Sequence, residues 1–318
     1  MSSGFWNTLK RGFHHRRIGG RRTGIEAFIW RGNQPGPTLL LNGATHGDEY
    51  EGPAVLLDMA RSWRPKNLCG TVIAIPVLNE NAFLAGRRET PADGKNLARV
   101  FPGKAHGSHT ERIAYFFRTQ ILQHVDLYVD FHSAGSMYEI EPWVGYCTVN
   151  DPAITKTQRK MARCFDRFWC WGSPYLPGRT VSAAWEHRVP AIYTESRGGG
   201  SLEPGDLANL RRGIRRLLVA FQFLPGKVAL KSHPITREST TRNEGYLQLD
   251  HPSPCDGLIA SLVKLGARVK RGQPIAEVQP LDGSSPRIVR AAKTGRAVFV
   301  RRQRSIRQGE AIATLVPG

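Results

Sequence analysis

The sequence predicts an α/β domain built on a mixed, mostly parallel sheet flanked by helices, followed by a small C-terminal β-sandwich or barrel module. Three observations predict it. Apolar runs of strand length alternate with amphipathic helical stretches across residues 1–228, the pattern of a helix-covered parallel sheet. Polar residues capable of chemistry stand just after the carboxyl ends of those runs, where ligands bind in open α/β sheets. From residue 229 to 318 the texture changes to short strands and many turns.

In chain order, Gly24–Arg31 is apolar with one charge and predicts a strand, and Asn33–Pro37 is a turn. Thr38–Leu41 is a buried strand ended by Asn42-Gly43, and Ala54–Ala60 continues at helical spacing after a turn. Gly70–Leu78 is a second buried run and Arg87–Gly103 a long polar loop. Thr110–Leu122 is an amphipathic helix with Ser108 or Thr110 as its cap. Val125–His132 is a third strand, Thr157–Trp169 a helix, Pro190–Glu195 a fourth core strand, and Pro204–Phe223 a helix with Leu207, Leu210, Ile214, Leu217, Leu218 and Phe221 on its apolar face. In the C-terminal part, Asp256–Val278 and Thr294–Leu315 both run from glycine through a strand to a basic turn, then Gly-Gln or Gly-Glu, then a strand.

At 40% hydrophobic and 9% aromatic residues the composition is that of a folded chain, and no apolar stretch reaches the ~20 residues of a membrane span. Met1–Arg22 is basic and lacks the apolar core of a signal peptide, which points to the cytoplasm. The five cysteines are scattered with no C-x-x-C pair, so they read as reduced thiols. A net charge of +19 raises the question of nucleic acid, but the charges lie in short doublets along the whole chain without an RNA-binding motif or zinc finger. Attraction for small anions is the more economical reading.

The turn after Leu41 reads Asn-Gly-Ala-Thr-His-Gly-Asp-Glu, and delivers His46 and Glu49 three residues apart. An imidazole and a carboxylate so spaced can reach one divalent cation; with a second imidazole they form the His₂Glu set of catalytic zinc sites, which keep a fourth position for water. His132 ends one later strand and Glu195 another. Taken alone, His-x-x-Glu is also compatible with an ordinary helix N-terminal turn.

With these residues in place, the chain resembles the succinylglutamate desuccinylase/aspartoacylase family, a branch of the zinc carboxypeptidase fold. The resemblance rests on the His46–Glu49 turn, on Asn96-Leu-Ala-Arg-Val-Phe-Pro-Gly103, on Asp130-Phe-His132 and on Pro190–Glu195, and it covers nearly the whole chain. The C-terminal module is similar to biotinyl/lipoyl-carrier sandwiches; Lys293 lacks the flanking residues of a carrier lysine, so the module is expected to be structural. The resemblance implies hydrolysis of the amide of an N-acyl amino acid, with one zinc ion per chain held by His46, Glu49 and His132. It implies Glu195 as the base that takes a proton from water and passes it to the leaving amine. Arg99 matches the family's carboxylate-binding arginine, Arg87 or Arg88 a further one upstream, and Arg179 another, while the usual asparagine before Arg99 is Ala98, with Asn96, two residues earlier, as the substrate-binding amide in its stead. The expected partner is a small anionic or zwitterionic N-acyl amino acid, with no specific nucleic acid and no membrane; homo-oligomerisation is left open. Two alternatives stand beside this expectation: a zinc carboxypeptidase acting on short peptides, and a non-catalytic basic protein that binds anions.

Overall fold

The computed structural model describes residues 4–20, 24–167, 169–233, 235–239 and 250–316. Phe168, inside the expected helix 157–169, and residues 240–249, inside the expected C-terminal module, lie outside the described residues. The described chain divides into two compact units. The first takes the chain to Ser133, then Pro142–Ser196, then the stretch that begins at Leu202; the second takes Ala134–Glu141, Arg197–Ser201 and the C-terminal strands.

The first unit is built on nine strands: β1 (Gly12–Ile18), β2 (Ile25–Arg31), β3 (Gln34–Gly43), β4 (Cys69–Ile75), β5 (Leu127–Ser133), β7 (Trp143–Cys147), β8 (Trp169–Ser173), β9 (Ala191–Ser196) and β10 (Ile235–Glu238), with the short β6 (Tyr138–Ile140) belonging to the second unit. Their order is β1-β2-β4-β3-β5-β9-β7-β8-β10. The centre, β4-β3-β5-β9, is parallel, and antiparallel pairs join β1 to β2, β2 to β4 and β7 to β9.

Burial on both faces explains the unbroken apolar runs. On β3, Leu39 and Leu41 enter one core with β5 residues Val129 and Phe131, while Leu40 enters the opposite core with Ile73 and Tyr128. Helices cover both faces. α1 (Glu51–Ser62), α4 (Pro152–Ala162) and α6 (Pro204–Ala220) supply Val55, Leu56, Met161, Leu210 and Leu217 to the first core; α3 (His109–Gln120) and α5 (Thr180–Glu186) supply Ile113, Phe117, Val181 and Ala183 to the second. The short α2 (Glu80–Leu84) opens the long polar loop. Of the two expected caps for α3, Ser108 is the one used, in a capping box with Glu111.

Two expected elements are corrected. The turn read over Asn33–Pro37 is instead the first part of β3, which runs from Gln34. The helix read over 157–169 ends at Ala162, the chain turns, and Trp169 opens β8. Trp-Cys-Trp is a strand sequence by side-chain shape, and pairing with Trp143–Cys147 decides in its favour.

The second unit holds β6, β11 (Gly257–Leu262), β12 (Arg268–Val269), β13 (Pro274–Pro280), β14 (Arg287–Arg290), β15 (Gly295–Arg301), β16 (Ser305–Ile306) and β17 (Ala313–Val316). They form two four-stranded sheets around Ile259, Val278, Ala297, Ile312 and Leu315. β6 pairs with β15, so residues far earlier in sequence complete the second sheet.

Candidate metal and active site

Three adjacent parallel strands deliver the site. β3 runs into the turn that carries His46 and Glu49, while β5 carries His132 and β9 carries Glu195, each one residue before its strand ends. His132 and Glu195 are direct register partners, so their side chains leave the sheet on the same face. The turn is tight. Ala44 has φ +47°, and Gly47 lies so close to α2 that a Cβ there would meet the Ala82 carbonyl carbon at 2.0 Å. The Gly47 N–H donates to the Arg87 carbonyl at 3.0 Å.

His46, Glu49 and His132 come together. Nδ1 of His46 is 2.7 Å from Oε1 of Glu49, and Nδ1 of His132 is 2.8 Å from Oε2 of Glu49. One ligand atom from each residue lies within 4.8 Å of the others, and His46 and Glu49 are almost fully buried. Each imidazole turns its Nε2 to an oxygen: His46 to Oδ1 of Asn96 at 3.1 Å, His132 to Oδ2 of Asp130 at 2.9 Å. The Asn96 oxygen also accepts the Ala98 N–H at 2.9 Å. With acceptors at both Nε2 atoms, the ring protons belong there, and both Nδ1 lone pairs converge with a carboxylate on one point. Two imidazoles that a bound cation would hold in their neutral form, each kept from behind, and a carboxylate suit a divalent cation.

The electrostatics set the two imidazoles apart. Burial, reinforced by the Arg88 charge, lowers the His46 pKa to about 4, so the ring is neutral at physiological pH. Burial would raise the Glu49 carboxyl, but the two imidazoles outweigh it and hold it well below the usual range. His132 runs the other way: despite burial, Asp130 and Glu49 hold its pKa well above the ordinary value. A cation bound between these groups would displace that proton.

Glu195 stands at the edge of this cluster. Burial pushes its pKa up to about 8; the Glu49 charge acts in the same direction, and His132, Arg88 and Arg179 oppose it.

The arginines differ from one another. Arg88 Nη1 donates to Glu49 Oε1 at 3.2 Å, whereas the side chain of Arg87 is exposed. Arg179 precedes α5, and its charge acts on Glu195 and on Tyr193. Arg99 is exposed, with Nη1 donating to the Ala98 carbonyl at 2.8 Å. The Arg99 backbone packs on Gly178, where a Cβ would meet it at 2.6 Å, so the segments carrying Arg99 and Arg179 are neighbours.

Two residues were given no role by the sequence reading. Asp130 is fully buried and accepts from His132, Asn42 Nδ2 at 2.8 Å, Thr45 Oγ1 at 3.1 Å and the Thr180 hydroxyl. Its spacing of two from His132 on a strand puts both on one face, a signal present in the sequence. Tyr193 shares the face of Glu195, and its ring fills the space that Gly145 leaves open, where a Cβ would lie 2.4 Å from the tyrosine oxygen. Asn96 has a place the sequence did not suggest, behind His46.

Comparison with known proteins agrees with this geometry. Residues 35–221 match the family model "Succinylglutamate desuccinylase/Aspartoacylase catalytic domain". A curated relative, N-alpha-acetyl-L-2,4-diaminobutyric acid deacetylase of Halomonas elongata, is 33% identical over 290 residues, covering 88% of this chain and 82% of the relative. Among solved structures, the product-bound ectoine utilization protein EutE (DoeB) of Ruegeria pomeroyi superposes with a TM-score of 0.85 at 29% identity, over 98% of this chain and 97% of that one. A succinylglutamate desuccinylase from a Silicibacter species gives a TM-score of 0.85 at 28% identity, over 97% and 96%. The matched residues contain every member of the buried His-Glu-His cluster, and the chain belongs to the succinylglutamate desuccinylase/aspartoacylase family.

Proposed function

We propose that this protein is a zinc-dependent hydrolase that cleaves the amide of an N-acyl amino acid, releasing a carboxylic acid and the free amino acid. The observation that carries this reading is the convergence of His46, Glu49 and His132 at the ends of adjacent strands, with Glu195 the register partner of His132. Zinc held by those three residues would polarise the scissile carbonyl and lower the pKa of a water at its open position.

The chain's own residues supply the rest. Glu195 takes a proton from the attacking water as the new C–O bond forms, and returns it to the nitrogen as the C–N bond breaks. Asn96 and Asp130 keep the two imidazoles oriented. Arg88 and Arg179, whose charges reach Glu195, together with Arg99, bind the substrate carboxylate by charge-assisted hydrogen bonds.

For the substrate we infer a short acyl group on a basic or zwitterionic amino acid. Ala98, in place of a side-chain amide before Arg99, removes one polar contact for a second carboxylate, and the Halomonas relative is named for an acetylated diamino acid. Amine release from N-acetyl-2,4-diaminobutyrate, N-acetylaspartate, N-succinylglutamate and short peptides tests the reading. Turnover of the first above the others, abolished by a chelator and restored by zinc, is expected. Turnover of the peptides alone would replace it with a carboxypeptidase.

A further inference from the structure

Behind the site, in the core shared by α1 and α6, a guanidinium is enclosed. The side chain of Arg167 is 3% exposed and that of its partner Asp206 6%. Arg167 Nη1 donates to Asp206 Oδ1 at 2.9 Å, and Nη2 donates to Ser196 Oγ at 3.3 Å. Glu51, at the first position of α1 and two residues past Glu49, adds a second negative group in the field of Arg167.

Such a pair is poor evidence of stability, because removing two charges from water offsets most of what their attraction returns, and apolar replacements of similar volume are often equally stable. Its directionality is what an apolar pair lacks. Ser196 is the last residue of β9 and directly follows Glu195; Asp206 lies in the first turn of α6. Between them the chain leaves the first unit for residues Arg197–Ser201, which bond to other residues of the second unit: the Ile140 N–H to the Arg197 carbonyl, the Gly199 N–H to Tyr138 and the Gly200 N–H to Gly135. One guanidinium therefore bonds the residue at the exit and a residue in the first helical turn after the return. Ser196 is also paired with Ser133 of β5, so the guanidinium adds a side-chain tie to the backbone pairing at the strand end that carries Glu195.

We propose that Arg167 is a positioning residue: through Ser196 and Asp206 it fixes the end of β9, and so the Glu195 carboxylate, against movement of the 197–201 excursion. The proposal rests on the assignment of Glu195 as proton carrier. A misplacement of about 1 Å at a reacting group can lower turnover by ~100-fold without loss of the fold.

The test uses the full-length protein as Ser196→Ala, as the double variant Arg167→Met/Asp206→Leu and as Arg167→Lys. For each, backbone hydrogen exchange of β9, zinc content, melting temperature, kcat and KM are measured. The expected result for the double variant is wild-type zinc content and a near-wild-type melting temperature. The β9 amides at Glu195 and Ser196 exchange faster, kcat falls about tenfold or more, and KM changes little. Ser196→Ala shifts exchange and kcat in the same direction by less, and Arg167→Lys recovers part of both. Wild-type exchange at Glu195 and Ser196, or undiminished kcat, in both Ser196→Ala and the double variant overturns the proposal. If the double variant does not fold, Ser196→Ala decides. If wild-type protein hydrolyses no N-acyl amino acid, the hydrolase reading fails by itself, and the exchange measurement still decides whether Arg167 fixes the strand end.

Discussion

Nε2 of His132 lies 2.9 Å from Oδ2 of Asp130, while its Nδ1 faces Glu49 at 2.8 Å. The ring is thus held from behind by a carboxylate that is itself saturated by Asn42, Thr45 and Thr180. Loss of such a hold typically costs about 10- to 100-fold in metal affinity. Asp130→Asn is expected to weaken zinc binding by that factor, read by competition with a calibrated chelator. Unchanged affinity would mean that Asp130 serves the core alone.

Glu195 is assigned proton transfer and not metal ligation. Glu195→Gln keeps the size of the side chain and removes the exchangeable carboxyl proton. Turnover should fall roughly 100- to 10,000-fold with zinc content unchanged. Retained turnover would transfer the role to another group, and lost zinc would make Glu195 a ligand.

The two neighbouring arginines can be separated. Arg88 reaches Glu49 at 3.2 Å, whereas Arg87 is exposed and meets the turn through its carbonyl. Loss of a hydrogen bond to a charged group is worth about 1.5–3 kcal/mol, so Arg88→Ala should lower kcat/KM about 10- to 100-fold. Arg87→Ala should leave it near the wild-type value. The reverse order would move the substrate contact one residue upstream.

Asp93 ties the polar loop to α3. Its carboxylate accepts the Thr110 hydroxyl at 2.6 Å, the Thr110 N–H at 2.8 Å and the Lys95 N–H at 3.2 Å. Burial would raise this carboxyl, but these bonds outweigh it and hold its pKa at about 2. The folded value lies below the unfolded one of about 3.9, so the stabilisation is fully present above that pH and is lost as pH falls toward 2. Denaturant titrations should find Asp93→Asn less stable than wild type at pH 6, with the gap closing between pH 4 and pH 2. A constant gap would assign the loss to packing.

Much of the site was legible because its chemistry sits at strand ends. Thr38–Leu41 announces a strand buried on both faces, and the His46–Glu49 spacing declares itself within one turn. The basic strand Gly12–Ile18 escaped notice because an edge strand with exposed charges lacks the apolar alternation that marks inner strands. Trp143–Cys147 and Trp169–Ser173 were missed because each has only five residues and their partners are distant in sequence. The same distance hides the contribution of Ala134–Glu141 and Arg197–Ser201 to the second unit, since the first finds its strand partner only in β15 and the second bonds to the first. Asn96 was matched to a substrate contact by its neighbourhood, and only coordinates reveal His46 in front of it.

The central claim is that His46, Glu49 and His132 hold one catalytic cation. Calorimetric titration of zinc into chelator-stripped protein tests it most directly, with His132→Ala as the control. The account predicts one zinc per wild-type chain and binding weakened at least about 100-fold in the variant. Absence of stoichiometric binding to the wild type, or undiminished affinity without His132, would contradict it.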